Sequence, residues 1–206
     1  MKRQILILTA MICSFAAVSG QTFTGGITGG ISVNQIDGDS YKGYNMFGLT
    51  GGAYVQTKVP GNWQTQIEIK YFLKGAEQKF PDNSGFYKEH LNYVQVPVLL
   101  NYYINEKLFP ELGISAGYLF KAKEDLDGNG FISPARPFKP LDLSFEGGMN
   151  FQINHLLRAN IRLSYSIIRI REFPGGQTFL FDMGQYNSSL SFNLYYRILP
   201  SLTHKK

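Results

Sequence analysis

The sequence has almost no cysteine: one in 206 residues. That residue, Cys13, lies inside an N-terminal apolar stretch, so the rest of the chain has neither disulfides nor thiol chemistry. Charge is also scarce. Asp, Glu, Lys and Arg make up 17% of the chain, against about a quarter in ordinary globular proteins. That excludes coiled coils, helical solenoids and basic nucleic-acid arms. There is one Trp, and no later stretch supplies the ~20 consecutive apolar residues of a membrane helix. A membrane β-barrel would escape that test, because its strands carry only half the apolar signal.

Lys2 and Arg3 precede the apolar run Ile5 to Val18, and Val18-Ser19-Gly20 offers small residues before a cut. Residues 1–20 therefore read as a secretory signal and 21–206 as one mature domain. Met11-Ile12 before Cys13 does not suit a lipid anchor. Removing Lys2 and Arg3 leaves 18 basic and 15 acidic residues, a net +3, too mild for a nucleic-acid partner.

What the chain has in abundance is Gly, Tyr and Phe, at 22, 13 and 16 residues, arranged with period two. Leu141, Leu143, Phe145, Met149, Phe151 and Ile153 alternate with Asp142, Ser144, Glu146, Gly148, Asn150 and Gln152. Leu190, Phe192, Leu194, Tyr196 and Ile198 alternate with Ser189, Ser191, Asn193, Tyr195 and Arg197. This is the strand period. Eight such segments are predicted, near 22–36, 43–59, 62–79, 87–104, 109–122, 140–153, 157–171 and 186–199. The seventh breaks phase at Ile167-Ile168, where a bulge would restore it. Pro97 sits mid-strand and implies a bulge or a local break in the ladder.

The connections alternate between short (Pro60-Gly61-Asn62, Asn105-Glu106-Lys107, Asn154-His155) and long (37–42, 80–86, 123–139, 172–185). Short turns at one end and long loops at the other mark an outer-membrane barrel. The predicted fold is all-β, an eight-stranded antiparallel up-and-down transmembrane β-barrel of the outer-membrane type. A soluble lipocalin-like barrel binding an apolar ligand also alternates, with its apolar face inside. Three features favour the membrane. The segments are long, Phe23, Trp63, Tyr71, Tyr102, Tyr118 and Tyr196 lie toward strand ends on the apolar face, and the polar face is too poor in charge for a water-facing wall. In the first strand that face is Gly26, Thr28, Gly30, Ser32 and Asn34.

The polar face then points inward. Glu68, Lys70, Lys74, Glu146, Arg158, Arg162 and Arg197 become interior charges, and in so narrow a space they must pair. A simple hairpin count sets Glu146 opposite Arg162. An eight-stranded barrel is just wide enough for side chains to fill, so the lattice is structural and no general diffusion pore is expected.

The chain resembles the outer-membrane β-barrel family labelled PorT-like, from about Gly25 to Arg197. The segment Leu91-Asn92-Tyr93-Val94-Gln95-Val96-Pro97-Val98-Leu99-Leu100-Asn101-Tyr102 carries the resemblance, with Leu112-Gly113-Ile114-Ser115-Ala116-Gly117-Tyr118 after it. The resemblance implies an eight-stranded barrel in the outer membrane of a Gram-negative cell. One branch of that family is linked to type IX secretion.

Among local motifs, Asp125-Leu126-Asp127-Gly128-Asn129-Gly130-Phe131-Ile132 resembles an EF-hand calcium loop. Asp125, Asp127, Asn129 and the Phe131 carbonyl would be the ligands. The twelfth position is Arg136 in place of a bidentate acid, and Pro134 argues against a flanking helix. The segment reads either as a weak calcium site or as a Gly/Asn/Asp surface turn. His90, His155 and His204 are spread over opposite ends and make no metal site. A rim lipid hydrolase built on Ser84, Glu89 and His90 suffers because adjacent strand residues point to opposite faces. The fourth loop carries Phe173, Phe179 and Phe181 with Leu180 and Met183, either a partner-binding cluster or a plug. The expectation is a non-enzymatic barrel without a cofactor, weak calcium aside. Its partners would be outer-membrane lipid and a ligand or secretion or envelope protein.

Overall fold

Period-two alternation becomes, in the computed structural model, a ring of long antiparallel strands. The structure describes residues 23–39, 41, 43–79, 85–172 and 184–199. The signal segment 1–20, Ser84, the tail with His204, and Phe173, Phe179 and Phe181 of the fourth loop lie outside these residues. The strands are β1 (Phe23–Asp37), β2 (Met46–Val59), β3 (Trp63–Lys79), β4 (Phe86–Tyr102), β5 (Leu108–Asp125), β6 (Leu141–Gln152), β7 (Leu157–Ser166), β8 (Arg171–Glu172) and β9 (Gly184–Leu199). Each pairs with the next around the ring, β7 pairs with β9, and β9 pairs with β1 to close it. The two-residue β8 adds to the upper end of β9 outside the ring.

Sequence explains the short-turn end. Gly61 has φ +79°, which a side chain would resist. Asn105 and Asn154 each accept two backbone N–H groups from the residues that follow, at 2.7–2.9 Å. These Asx turns leave no slack, so the strands they join stay in register. The termini of the ring, at Phe23 and Leu199, fall at this same end.

The apolar faces point outward. Leu141, Phe145 and Phe151 are 47, 45 and 50% exposed, while Asp142, Ser144, Glu146 and Asn150 on the same strand are buried. This inverts a soluble barrel and removes the lipocalin-like alternative, which needs Leu141, Phe145 and Phe151 inside. Aromatic rings mark both edges of the apolar band. Trp63 and Tyr102 pack at 4.6 Å at the short-turn end, and Tyr71 and Phe120 at 6.3 Å toward the other. Trp63 through Tyr71 is nine residues of β3, the length of a tilted membrane span of ~9–11. β3 continues to Lys79, so the upper barrel stands clear of the lipid.

One local expectation is corrected and another is narrowed. No bulge rescues Ile167-Ile168: β7 ends at Ser166, the chain bends, and Ile170 turns into the barrel mouth, where it is fully buried. Burying that side chain outweighs continuing the ladder. Of the two outcomes expected at Pro97, the local break is found and the bulge is not. Its pairing with Ser115 on β5 is in register, and the bulge lies at Asn92/Tyr93. On the β3 side the ladder is interrupted between Ile67–Val98 and Lys70–Gln95 without a register shift. The missing N–H of Pro97 is absorbed as that gap.

Candidate functional site: a filled interior and a sealed mouth

The inward residues form a continuous polar lattice. At its centre Arg162 on β7 grips Glu68 on β3, with Nη1 and Nη2 each 3.0 Å from a carboxylate oxygen. Its Nε lies 2.5 Å and its Nη2 3.0 Å from the oxygens of Glu111 on β5. The Tyr195 hydroxyl accepts from Arg162 at 2.9 Å and donates to Glu68 at 2.7 Å. Gln66 also donates to Glu68, and Asn150 and Asn160 donate to Glu111. Lys70 stands 3.5 Å from Glu68. Buried charge is tolerated only when paired and hydrogen-bonded; Arg162, Glu68 and Glu111 meet that condition, whereas the Lys70 ammonium is paired with Glu68 but makes no hydrogen bond.

Further layers stack on it. Toward the short turns, Arg158 donates to Gln56 at 3.1 Å and Gln66 at 2.7 Å and lies 4.2 Å over the Tyr195 ring. Arg197 lies near that end and is half-buried. Toward the long loops, Glu146 accepts from Gln95, Ser115 and Ser164. Asp142 accepts from Lys74 at 3.1 Å and from Ser144, Ser166 and Asn187.

Glu68, Lys70, Lys74, Glu146, Arg158 and Arg162 thus lie inside. The predicted Glu146–Arg162 pair does not form. The register sets Glu146 opposite Ser164 and Arg162 opposite Gly148. Gly148 leaves the space that the Glu111 carboxylate occupies beside Arg162, since a Cβ there would come within 2.7 Å of Glu111 Oε1. Glu111 and Tyr195, at the heart of the cluster, were not singled out from sequence. The alternation of Phe109, Glu111, Gly113 and Ser115 was the available signal.

The long-loop end is closed by an apolar cap of Ile36, Ala76, Tyr87, Leu91, Tyr93, Phe138 and Ile170. Beside it Arg171 on β8 donates to Glu89 Oε1 at 2.5 Å and to Gln185 at 2.6 Å, with its guanidinium 3.9 Å over the Phe138 ring. Asp39, just past β1, receives the Tyr41 N–H at 2.9 Å. The second oxygens of Asp39 and Glu89 and the Tyr87 hydroxyl are buried without a hydrogen-bond partner. Burial pushes the Asp39 carboxyl up to about 7, and Glu89 nearby adds to it. Burial also raises Glu89, against the pull of Arg171. Both groups stand above the lipid band.

The 125–132 segment is a turn closed on itself. Asp125 Oδ1 accepts the Gly128 N–H at 2.8 Å, and Asp127 accepts from the Asn129 backbone and side chain. Gly128 and Gly130 take positive φ. Phe131 stacks on His90 at 4.5 Å, and Glu124 pairs with Ile132. Asp125 is buried while Asp127 and Asn129 are exposed. Glu89 faces in and His90 faces out, the separation that weakens a catalytic pairing. Among the described residues no group of three or more His, Cys, Asp or Glu is disposed to hold a metal ion.

Residues 18–172 match the family described as outer membrane protein beta-barrel domain. The chain belongs to that family. Among solved structures it is similar to Ail, the attachment invasion locus protein of Yersinia pestis, at 15% identity and TM-score 0.50, covering 87% of this chain and 99% of Ail. It is also similar to Neisserial surface protein A, at 9% identity and TM-score 0.50, covering 85% and 97%. No curated protein matches. Family membership, the outward apolar band and these shared folds place this β-barrel in the Gram-negative outer membrane.

Proposed function

We propose that this family member is a non-enzymatic scaffold, a plugged barrel that holds its long-loop end rigidly toward an external ligand or an envelope or secretion partner. The observation that carries the reading is the Arg162–Glu68 pair. It bridges strands on opposite sides of the ring and leaves the interior occupied by its own side chains. What remains to act is the upper end, where β3, β4 and β5 rise above the aromatic band and the cap fixes the loop bases.

One feature of that end favours an anionic ligand. Arg136, Lys139 and Arg171 line a cavity of about 310 Å³ with Pro137 and Glu172. Arg136 spends one contact on the Glu172 carbonyl at 3.4 Å. The similar protein Ail was solved with the heparin analogue sucrose octasulfate, and a sulfated glycan is the class of ligand such a slot would take.

The test is cell-surface binding to immobilised heparin by wild type and by Arg136→Glu/Lys139→Glu, with folding checked by heat-dependent gel mobility. The scaffold reading with an anionic ligand predicts salt-sensitive binding that the variant loses. Equal behaviour of both, with both folded, would contradict the anionic ligand and leave the protein partner to be tested by crosslinking from the loop tips.

A further inference from the structure

The lipid-facing wall does not end in apolar side chains on every strand. On β4 the outward column runs Val94, Asn92, His90, Lys88, and on β5 the matching residues opposite Asn92 and His90 are Lys121 and Lys123. These rows begin immediately above Tyr71 and Phe120, the upper aromatic edge. Paired rows two residues apart are separated by about 6.6 Å of strand, so both lysines fall within the zone where lipid headgroups begin.

The surroundings of the two lysines are cationic and polar. Lys88, farther up, is already matched by Glu77 at 2.8 Å. Neither Lys121 nor Lys123 has a carboxylate partner among the described residues. Glu124, the nearest acid in sequence, is buried on the inward face and accepts the Ala135 N–H. Lys123 lies 5.9 Å over the Phe131 ring, which itself covers His90. The Tyr71 hydroxyl donates to Asn92 Oδ1 at 2.7 Å, and Asn92 Nδ2 donates to the Lys121 carbonyl at 3.2 Å, bracing the base of the patch. Gly75, opposite His90 on β3, presents no side chain and leaves a recess beside it. Its own positive φ, and the 1.8 Å that would separate a Cβ from the Glu89 carbonyl oxygen, hold that position to glycine.

We infer that Lys121 and Lys123, above Tyr71 and Phe120 on the outward face of β4 and β5, bind the phosphate groups of an anionic outer-leaflet lipid. The apolar wall below takes the acyl chains, and the lysines meet the phosphates where the chains end. Two cations without a carboxylate partner, on successive rows of the headgroup zone, suit a headgroup with two phosphates, and attraction of this kind adds with each lysine near the surface.

The test uses the full-length mature barrel in nanodiscs of phosphatidylcholine, alone or with a minor fraction of bisphosphorylated lipid A. Phosphorylated lipid retained per barrel after mild detergent extraction is counted, together with the thermal midpoint. Wild type should retain the phosphorylated lipid and gain stability from it. Lys121→Ala/Lys123→Ala should lose roughly tenfold in retention, and Lys121→Arg/Lys123→Arg should keep it. Inorganic phosphate added to phosphatidylcholine discs should change nothing. Equal retention by the folded alanine variant, equal retention of lipid A stripped of its phosphates, or saturation by inorganic phosphate alone would each overturn the proposal.

Discussion

Arg162 and Glu68 sit on strands separated by three others in either direction round the ring, yet their side chains meet in two parallel bonds of 3.0 Å. A contact across the full diameter is what a filled barrel means in atomic terms. Replacing Arg162 by Met would strand Glu111 as an unpaired buried carboxylate and leave Glu68 only Lys70 at 3.5 Å, at a cost of about 3–5 kcal/mol. Arg162→Lys would recover only part of this, because a point charge cannot make the fork. Urea unfolding in detergent checks the order wild type, Lys variant, Met variant. Adding Glu68→Gln and Glu111→Gln to the Met variant should restore some of the loss.

Gly148 should be nearly as intolerant. A Cβ there would lie 2.5 Å from the Ile161 carbonyl oxygen and 2.7 Å from Glu111 Oε1. Gly148→Val should lower stability by about 1–3 kcal/mol, whereas Gly147→Val, facing the lipid with its nearest neighbours at 3.7–4.0 Å, should not. The same unfolding measurement separates the two.

The mouth carries a pH dependence of defined sign. Asp39 is 8% exposed, and its carboxyl is raised by burial to about 7. Between the unfolded carboxylate pKa of about 4 and about 7, the folded state holds a proton that the unfolded state has released. Stability of the mouth therefore falls as pH rises across that window and levels off above it. Glu89, also raised by burial, adds a slope of the same sign, while Tyr87 beside both stays protonated. Hydrogen exchange of the Tyr41 amide, which donates to Asp39, should accelerate over that range beyond its intrinsic pH dependence. In Asp39→Asn the excess should shrink to the part due to Glu89, and the mouth should be more stable at neutral pH.

Calcium is a separate question for the 125–132 turn. Asp125 and Asp127 are engaged by Gly128 and Asn129 of their own turn, and no bidentate acid stands at the twelfth position, Arg136. Calorimetry of the detergent-solubilised barrel should give no saturable heat with calcium. A saturable signal in the ~10⁻⁴–10⁻³ M range typical of weak extracellular sites, lost in Asp125→Asn/Asp127→Asn, would favour the metal reading of the same residues.

Much of the fold was legible because a membrane barrel writes its wall in a two-residue code. Leu141 to Gln152 could be assigned face by face, and every short turn was announced by Gly61, Asn105 or Asn154. The interior was legible as a set of charges but not as pairs. Which carboxylate Arg162 reaches depends on the space left by Gly148 and on strands remote in sequence. A hairpin count cannot carry that information, so neither Glu111 nor Tyr195 could be named as a partner of Arg162. The mouth was the least legible part. Phe138 comes from a connection without periodicity and Ile170 from the end of the seventh segment, beyond its phase break, and both fold inward into the apolar cap. Ile167-Ile168 looked like a phase slip when it marked the end of a strand.

The central claim is that this outer-membrane barrel is closed by its own side chains. Conductance of the purified protein in a planar lipid bilayer tests it most directly. Wild type should show no stable, uniform current steps above the bare membrane, while Glu68→Ala/Arg162→Ala, with the central plug removed, should show small ones. Reproducible channel steps from folded wild-type protein would contradict the account.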